Sequence, residues 1–190
     1  MRVLGIDPGT MVTGYGVVGE ESAPGGQRIY FIAAGGIKTS ARLPLSKRLR
    51  QIFEGLREVV GKFQPEVIAV ENTFLSKNFA TALKLGQACG VALLTAELSG
   101  LKVYDYTPAE VKVAVVGHGS AVKVQVQRMV DYLLWETTPK ITSEGSTSKR
   151  QRCAVDLSHH ATDALAVAIC HLHTRTLREM VLSNDGLNDQ

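Results

Sequence analysis

Cysteine is scarce in this chain: Cys89, Cys153 and Cys170 are all it has. No two have the spacing of a metal-binding pair, and an odd number fits no disulfide framework, so they read as reduced thiols in small apolar sites. Long apolar runs are absent too. No uncharged run approaches the ~20 residues of a membrane span, and the N-terminus reaches Asp7 before an apolar signal segment could form. These absences predict a cytoplasmic protein with no membrane segment. Charge of one sign is not in excess: 21 Lys and Arg against 18 Asp and Glu leave a net +3. That balance permits a nucleic-acid partner without arguing for one. What is present is globular: 45% hydrophobic and 21% charged residues, which excludes disordered acidic tails and collagen-like repeats. A chain of 190 residues buries ~70% of its unfolded surface without a disulfide or a metal. One domain is the expectation at that length.

The patterning predicts a strand at 2–7, a turn at Pro8 and Gly9, a second strand at 13–18, a loop at 20–27 and a third strand at 28–38. The three make an antiparallel meander. A helix follows near 44–63, where Leu45, Leu49, Ile52, Leu56 and Val59 keep the helical period and Pro65 ends it. The run 66–71 is apolar enough for a central strand. A helix at about 77–98, a strand at 102–107, a helix opened by Pro108 and another at 122–134 come next. Periodicity fails from 135 to 157, which reads as a flexible insert. The last helix spans about 158–179 with Ser158 as its N-cap, and 180–190 reads as a frayed tail. A meander followed by alternating helices and strands implies an α/β fold, a mixed five-stranded sheet with helices on both faces.

Three carboxylates fall where such a sheet would present them. Asp7 ends the first strand and Glu71 ends the fourth, each after an apolar run. Asp163 lies in the first turns of the last helix, with His160 three residues earlier on the same face and His159 as a competitor for that place. An Asp before Pro-Gly can be only a turn former, and an acid at a helix start can serve only the dipole. Together they say more. Acids ending neighbouring buried strands repel unless a cation lies between them. Hard oxygen ligands select Mg²⁺ or Mn²⁺, and two such ions about 4 Å apart can clamp the attacking and leaving oxygens of a phosphodiester. The reading is metal-dependent phosphoryl transfer.

The strings GIDPGTMVTGYGVV, VIAVENTFLSKN, ALKLGQACGVAL, EVKVAVVGHGSAVKVQVQ and HHATDALAVAICHLH, in that order, resemble the bacterial crossover junction endodeoxyribonuclease RuvC family, the Holliday junction resolvases. The resemblance runs from Met1 to about His173. It implies a ribonuclease H-like fold over 1–179 and a homodimer. It also implies paired symmetric nicks in a four-way DNA junction, leaving 5′-phosphate and 3′-hydroxyl ends, and work beside the RuvA–RuvB branch-migration motor. Asp7, Glu71 and Asp163 match the family's acids. His160 stands where the family usually has Asp; imidazole removes one negative charge and suits Mn²⁺ better than Mg²⁺. Mn²⁺ is therefore expected to support activity at least as well as Mg²⁺, with two ions per site.

The resemblance also carries DNA contacts. Phe74 matches an aromatic that stacks on a base at the crossover, an interaction worth ~1–3 kcal/mol, and Lys77 follows it. Lys112 and Lys123 match lysines that support cleavage and would neutralise phosphate. Around them Gly117 and Gly119 let backbone approach a phosphate, and Ser120 can cap the next helix. His118 reads as surface, and Lys149, Arg150 and Arg152 either as contacts to a DNA arm or as a solvated loop. The helix at 77–98 is apolar nearly all round, and Ala82, Gly86 and Gly90 allow another helix close. A two-fold dimer across it would offer one site to each nicked strand. Three other readings remain: an ATP-binding protein of the actin and sugar-kinase class, a non-catalytic junction-binding protein, and a nuclease of the same fold on another nucleic-acid structure.

Overall fold

The computed structural model describes residues 1–23, 26–72, 79–136 and 158–185, with side chains as far as Arg175. The meander is β1 (Arg2–Asp7), β2 (Val12–Ala23) and β3 (Gly26–Lys38). β4 (Val67–Glu71) lies parallel to β1, and β5 (Lys102–Tyr106) parallel to β4. The sheet order is β3-β2-β1-β4-β5. The helices are α1 (Leu45–Phe63), α2 (Phe79–Leu98), α3 (Pro108–Val116), α4 (Lys123–Asp131) and α5 (His159–Asp185).

Side-chain alternation along the strands sorts the core into two layers. Leu4, Ile6, Ile68 and Val70 pack with Ile52 and Leu56 of α1 and with Ala88 and Ala92 of α2. Val3, Ala69 and Tyr106 pack on the other face with Val111, Val126, Leu165 and Ile169 from α3, α4 and α5. By the same parity Asp7 and Glu71 belong to the α5 face. Gly5 pairs with Ala69 and Ile6 with Val70 in the parallel ladder. The two acids therefore end adjacent strands at one level, at their carboxyl ends, where open α/β sheets place their ligands.

Glycines bring α5 down onto that face. A methyl group on Gly5 would stand 2.0 Å from the Ala164 carbonyl oxygen, and one on Gly14 2.1 Å from the His160 carbonyl oxygen. Gly14 is also the register partner of Asp7. The strand pair leaves a gap beside Asp7, and the first turn of α5 fills it. Ser158 Oγ accepts from the Ala161 N–H at 3.4 Å, which agrees with its expected place as N-cap.

Several boundaries differ from the sequence reading. The loop expected at 20–27 is mostly strand: cross-strand pairing continues through Ser22 and Ala23 to Gly26 and Gln27, because an antiparallel ladder satisfies backbone groups that polar residues leave open. α2 begins at Phe79 rather than 77. α4 ends at Asp131, and Tyr132–Glu136 continues as a π-helical turn rather than as helix to 134 with an insert from 135. Trp135 is held there by Phe31, ring centroids 5.4 Å apart. α5 runs to Asp185, past the expected end at 179; no Pro or Gly interrupts it before Gly186. The insert from 137 to 157, with Cys153, Lys149, Arg150 and Arg152, lies outside the described residues.

Candidate active site

Each acid arrives on a rigid element. Asp7 closes β1 and Glu71 closes β4, while His160 and Asp163 sit on the first turns of α5. His160 Nδ1 lies 2.7 Å from Asp7 Oδ2. A carboxylate only accepts, so Nδ1 carries the proton and Nε2 keeps its lone pair in the neutral ring. His159, one residue earlier, points elsewhere and meets Gln127 Nε2 at 2.7 Å through Nδ1. A step of about 100° per residue on a helix separates the two rings. Lys123 Nζ reaches Asp163 Oδ2 at 2.5 Å.

Burial and mutual repulsion set the electrostatics. Burial pushes the Glu71 carboxyl up to about 7; the charges of Asp7 and Asp163 add to this, and Lys123 and Lys112 oppose it. Asp7 is also raised, first by burial and then by Asp163, against the lowering effect of the His160 hydrogen bond and charge. Two buried carboxyls, Asp7 and Glu71, with raised proton affinity beside the charge of Asp163 form a site that holds protons or cations. Beside them a groove of about 200 Å³ is rimmed by Glu71, Lys112, Lys123 and Asp163 over Val111 and Val126. A groove lined by both carboxylates and lysines suits a phosphodiester.

The donor set suits a hard divalent ion: three carboxylates and an imidazole nitrogen. Among the described residues no three such groups are drawn into a closed cage. Asp7 and Asp163 are instead paired with His160 and Lys123, so gathering round an ion means exchanging those partners.

Of the DNA-facing residues expected from sequence, Lys112 and Lys123 line this groove. Phe74 and Lys77 lie outside the described residues. His118 is exposed and bonds Ser120 Oγ at 3.2 Å. Ser120 does not cap α4, contrary to expectation; the N-cap residue is Val122, whose N–H donates to the Gln125 side chain at 2.8 Å. The hydroxyl stands two residues before that place, beyond reach of the N2 and N3 amides. Two features escaped the sequence reading. One is the glycine seat for α5, whose signal was Gly5, Gly14 and Gly16 spaced two apart on paired strands. The other is Arg48, a charged residue on the buried stripe of α1 beside Ile52.

A family model described as crossover junction endodeoxyribonuclease RuvC matches residues 3–171. The chain is 46% identical over 177 residues to a crossover junction endodeoxyribonuclease RuvC of Pelobacter propionicus, covering 93% of this chain and 89% of that one. It is 41% identical over 181 residues to that of Geotalea uraniireducens, covering 95% and 94%. Among solved structures it resembles Thermus thermophilus RuvC at TM-score 0.74 and 33% identity, covering 93% of this chain and 96% of that one. The same protein in complex with Holliday junction substrate gives TM-score 0.74 and 32% identity, with the same coverage.

Proposed function

The chain belongs to the crossover junction endodeoxyribonuclease RuvC family, and we propose from that membership and the site's geometry that it resolves four-way DNA junctions by paired symmetric nicks. It is a metal-dependent endonuclease with a ribonuclease H-like fold. One observation carries the catalytic reading: Asp7 and Glu71 end adjacent parallel strands on the face that α5 covers, and Glu71 is pushed up to about 7 by burial and by Asp7 and Asp163.

Asp7, Glu71, Asp163 and His160 are the residues that would hold Mg²⁺ or Mn²⁺, two ions per site. Bound there, the metal supplies a Lewis acid and a nucleophile at neutral pH. The chain's own groups do the rest. In the free protein His160 Nδ1 holds Asp7, and His160 would turn a ring nitrogen to the metal once that partner is exchanged. Lys112 and Lys123 receive the phosphate on the open side of the groove. Phe74 and Lys77, just past Glu71, are proposed to stack on a base and bind phosphate. The products would be 5′-phosphate and 3′-hydroxyl ends.

Paired nicking needs two sites. Phe79, Leu83, Leu94 and Leu98 leave an apolar stripe exposed along α2, and a Cβ on Gly86 or Gly90 of the same helix would meet nothing. α2 is long and apolar enough, by length and composition, to cross a membrane, but Ala88, Ala92, Thr95 and Ala96 seat it against the sheet. The free stripe fits a second copy across a two-fold axis. The proposed setting is the cytoplasm, beside RuvA–RuvB on recombination intermediates.

The test is nicking of a labelled four-way junction beside a linear duplex of the same sequence, in Mg²⁺ and then Mn²⁺, with wild type and Asp7→Asn. Junction-selective paired nicks that vanish in Asp7→Asn are the expected result. A second reading has one observation in its favour, the engagement of Asp7 and Asp163 by His160 and Lys123. It is a junction-binding protein without catalysis, and tight binding with no nicks in either metal would establish it.

A further inference from the structure

Arg48 is 9% exposed. Among the described residues it has no carboxylate in ion-pair reach. A buried charge without a counter-ion is costly unless its hydrogen bonds are well made. Here they converge on one atom. Arg48 Nε and Nη2 donate to the Thr10 carbonyl oxygen at 3.0 and 2.6 Å. Thr39 Oγ1 donates to the same oxygen at 2.6 Å and itself accepts from Nε at 3.3 Å. Three donors from two distant elements thus hold a single carbonyl, three residues beyond Asp7.

The rest of that turn is held in the same way. Thr13, fully buried, donates to the Gly9 carbonyl oxygen at 2.8 Å, and the Thr39 N–H donates to the Met11 carbonyl oxygen at 2.9 Å. A methyl on Gly9 would stand 2.3 Å from the Val12 carbonyl oxygen, so the turn is closed tightly. Every carbonyl from Gly9 to Met11 is spoken for. The hydrogen bonds of Arg48 reach the Thr10 carbonyl oxygen and Thr39 Oγ1, not the Asp7 carboxyl. Any influence of Arg48 on Asp7 therefore runs through the backbone.

We propose that Arg48, bridged by Thr39, is a positioning residue for the metal-binding acid Asp7, locking the Pro8–Met11 turn so that the carboxylate is aimed before metal and DNA arrive. This rests on the functional reading above. A lysine at 48 offers a point charge and cannot hold the two-pronged fork. Such outer contacts to metal ligands are typically worth ~10–100-fold in metal affinity or activity.

The experiment compares wild type, Arg48→Lys and Thr39→Val in three measurements: Mn²⁺ binding to the protein alone, junction binding in EDTA, and single-turnover nicking in Mn²⁺. For Arg48→Lys the expectation is Mn²⁺ affinity and nicking rate each lowered by ~10–100-fold, with junction affinity within about threefold. Thr39→Val keeps the shape, loses one donor, and is expected to shift the same two quantities in the same direction by less. It decides alone if Arg48→Lys fails to fold. Mn²⁺ affinity within twofold of wild type in a folded variant overturns the proposal. So does a fall of junction binding by the same factor as nicking, which is the mark of general loosening. Wild type that binds Mn²⁺ and junction without nicking overturns the functional reading instead, and the Mn²⁺ isotherms still decide the role of Arg48.

Discussion

His160 Nδ1 stands 2.7 Å from Asp7 Oδ2, a contact between residues 153 apart in the chain. It joins the first strand to the last helix, and it gives the site an imidazole in place of a fourth carboxylate. With His160 as the proposed ligand, the site is less negative by one charge and softer by one donor.

Metal preference is expected to follow. Imidazole suits Mn²⁺ better than Mg²⁺, so wild type should nick junctions in Mn²⁺ at least as fast as in Mg²⁺ at matched concentration. His160→Asp should shift the rate ratio toward Mg²⁺ by roughly tenfold or more. Slower nicking in Mn²⁺ than in Mg²⁺ by wild type contradicts this.

Glu71 makes stability depend on pH when metal is withheld. Its folded value of about 7 exceeds its ordinary 4.5. Between these the native state keeps a proton that the unfolded chain has released, so stability falls as pH rises from about 4.5 to about 7 and then levels. Asp7, also raised, acts in the same direction. Melts in EDTA should show a lower Tm at pH 8 than at pH 5. Glu71→Gln should flatten the slope and add on the order of 2 kcal/mol at pH 8, and Mn²⁺ should restore wild type there.

Gly14→Ala drives a methyl group against the backbone of His160, 2.1 Å from its carbonyl oxygen. Backbone cannot rotate away as a side chain can. A loss of ~1–3 kcal/mol is expected from overpacking, and displacing His160 by about 1 Å should lower nicking by ~100-fold. Urea unfolding and single-turnover nicking check the two parts. Gly61→Ala, where nothing lies within 4 Å, should leave the nicking rate near wild type.

Lys123 does two things that Lys123→Ala should separate. Its ammonium occupies Asp163 and lowers the proton affinity of Glu71, so its removal should let Mn²⁺ bind the free protein several-fold more tightly at low salt. It also faces the groove for the phosphate, so nicking should fall on the order of 100-fold. Tighter metal with slower nicking is the expected signature; weaker metal binding contradicts it.

Local pattern carried much of this protein. Apolar strands ending in Asp7 and Glu71, the helical stripe of α1, Pro108 at the start of α3 and the Ser158 cap were legible because each depends on a few neighbouring residues. The polar ends of β2 and β3 were not, since Glu20 to Ala23 are strand only through their pairing with Gly26 to Ile29. Spacing left His159 and His160 both open beside Asp163. The seat that Gly5 and Gly14 provide fixes the rotation of α5 and so brings His160, not His159, to Asp7. The place of Arg48 was not legible either, since it depends on the Pro8–Met11 turn meeting α1.

The sequence by itself determined which groups are available: three acids, an imidazole and two lysines, at the ends of elements that period and capping define. Only the tertiary structure decided which of them meet. Asp7 with His160, Asp163 with Lys123 and Arg48 with Thr10 are contacts across 153, 40 and 38 residues. Such pairs form only where the elements that carry them pack together, because a hydrogen bond acts over a few ångströms and no local propensity encodes a distance between elements.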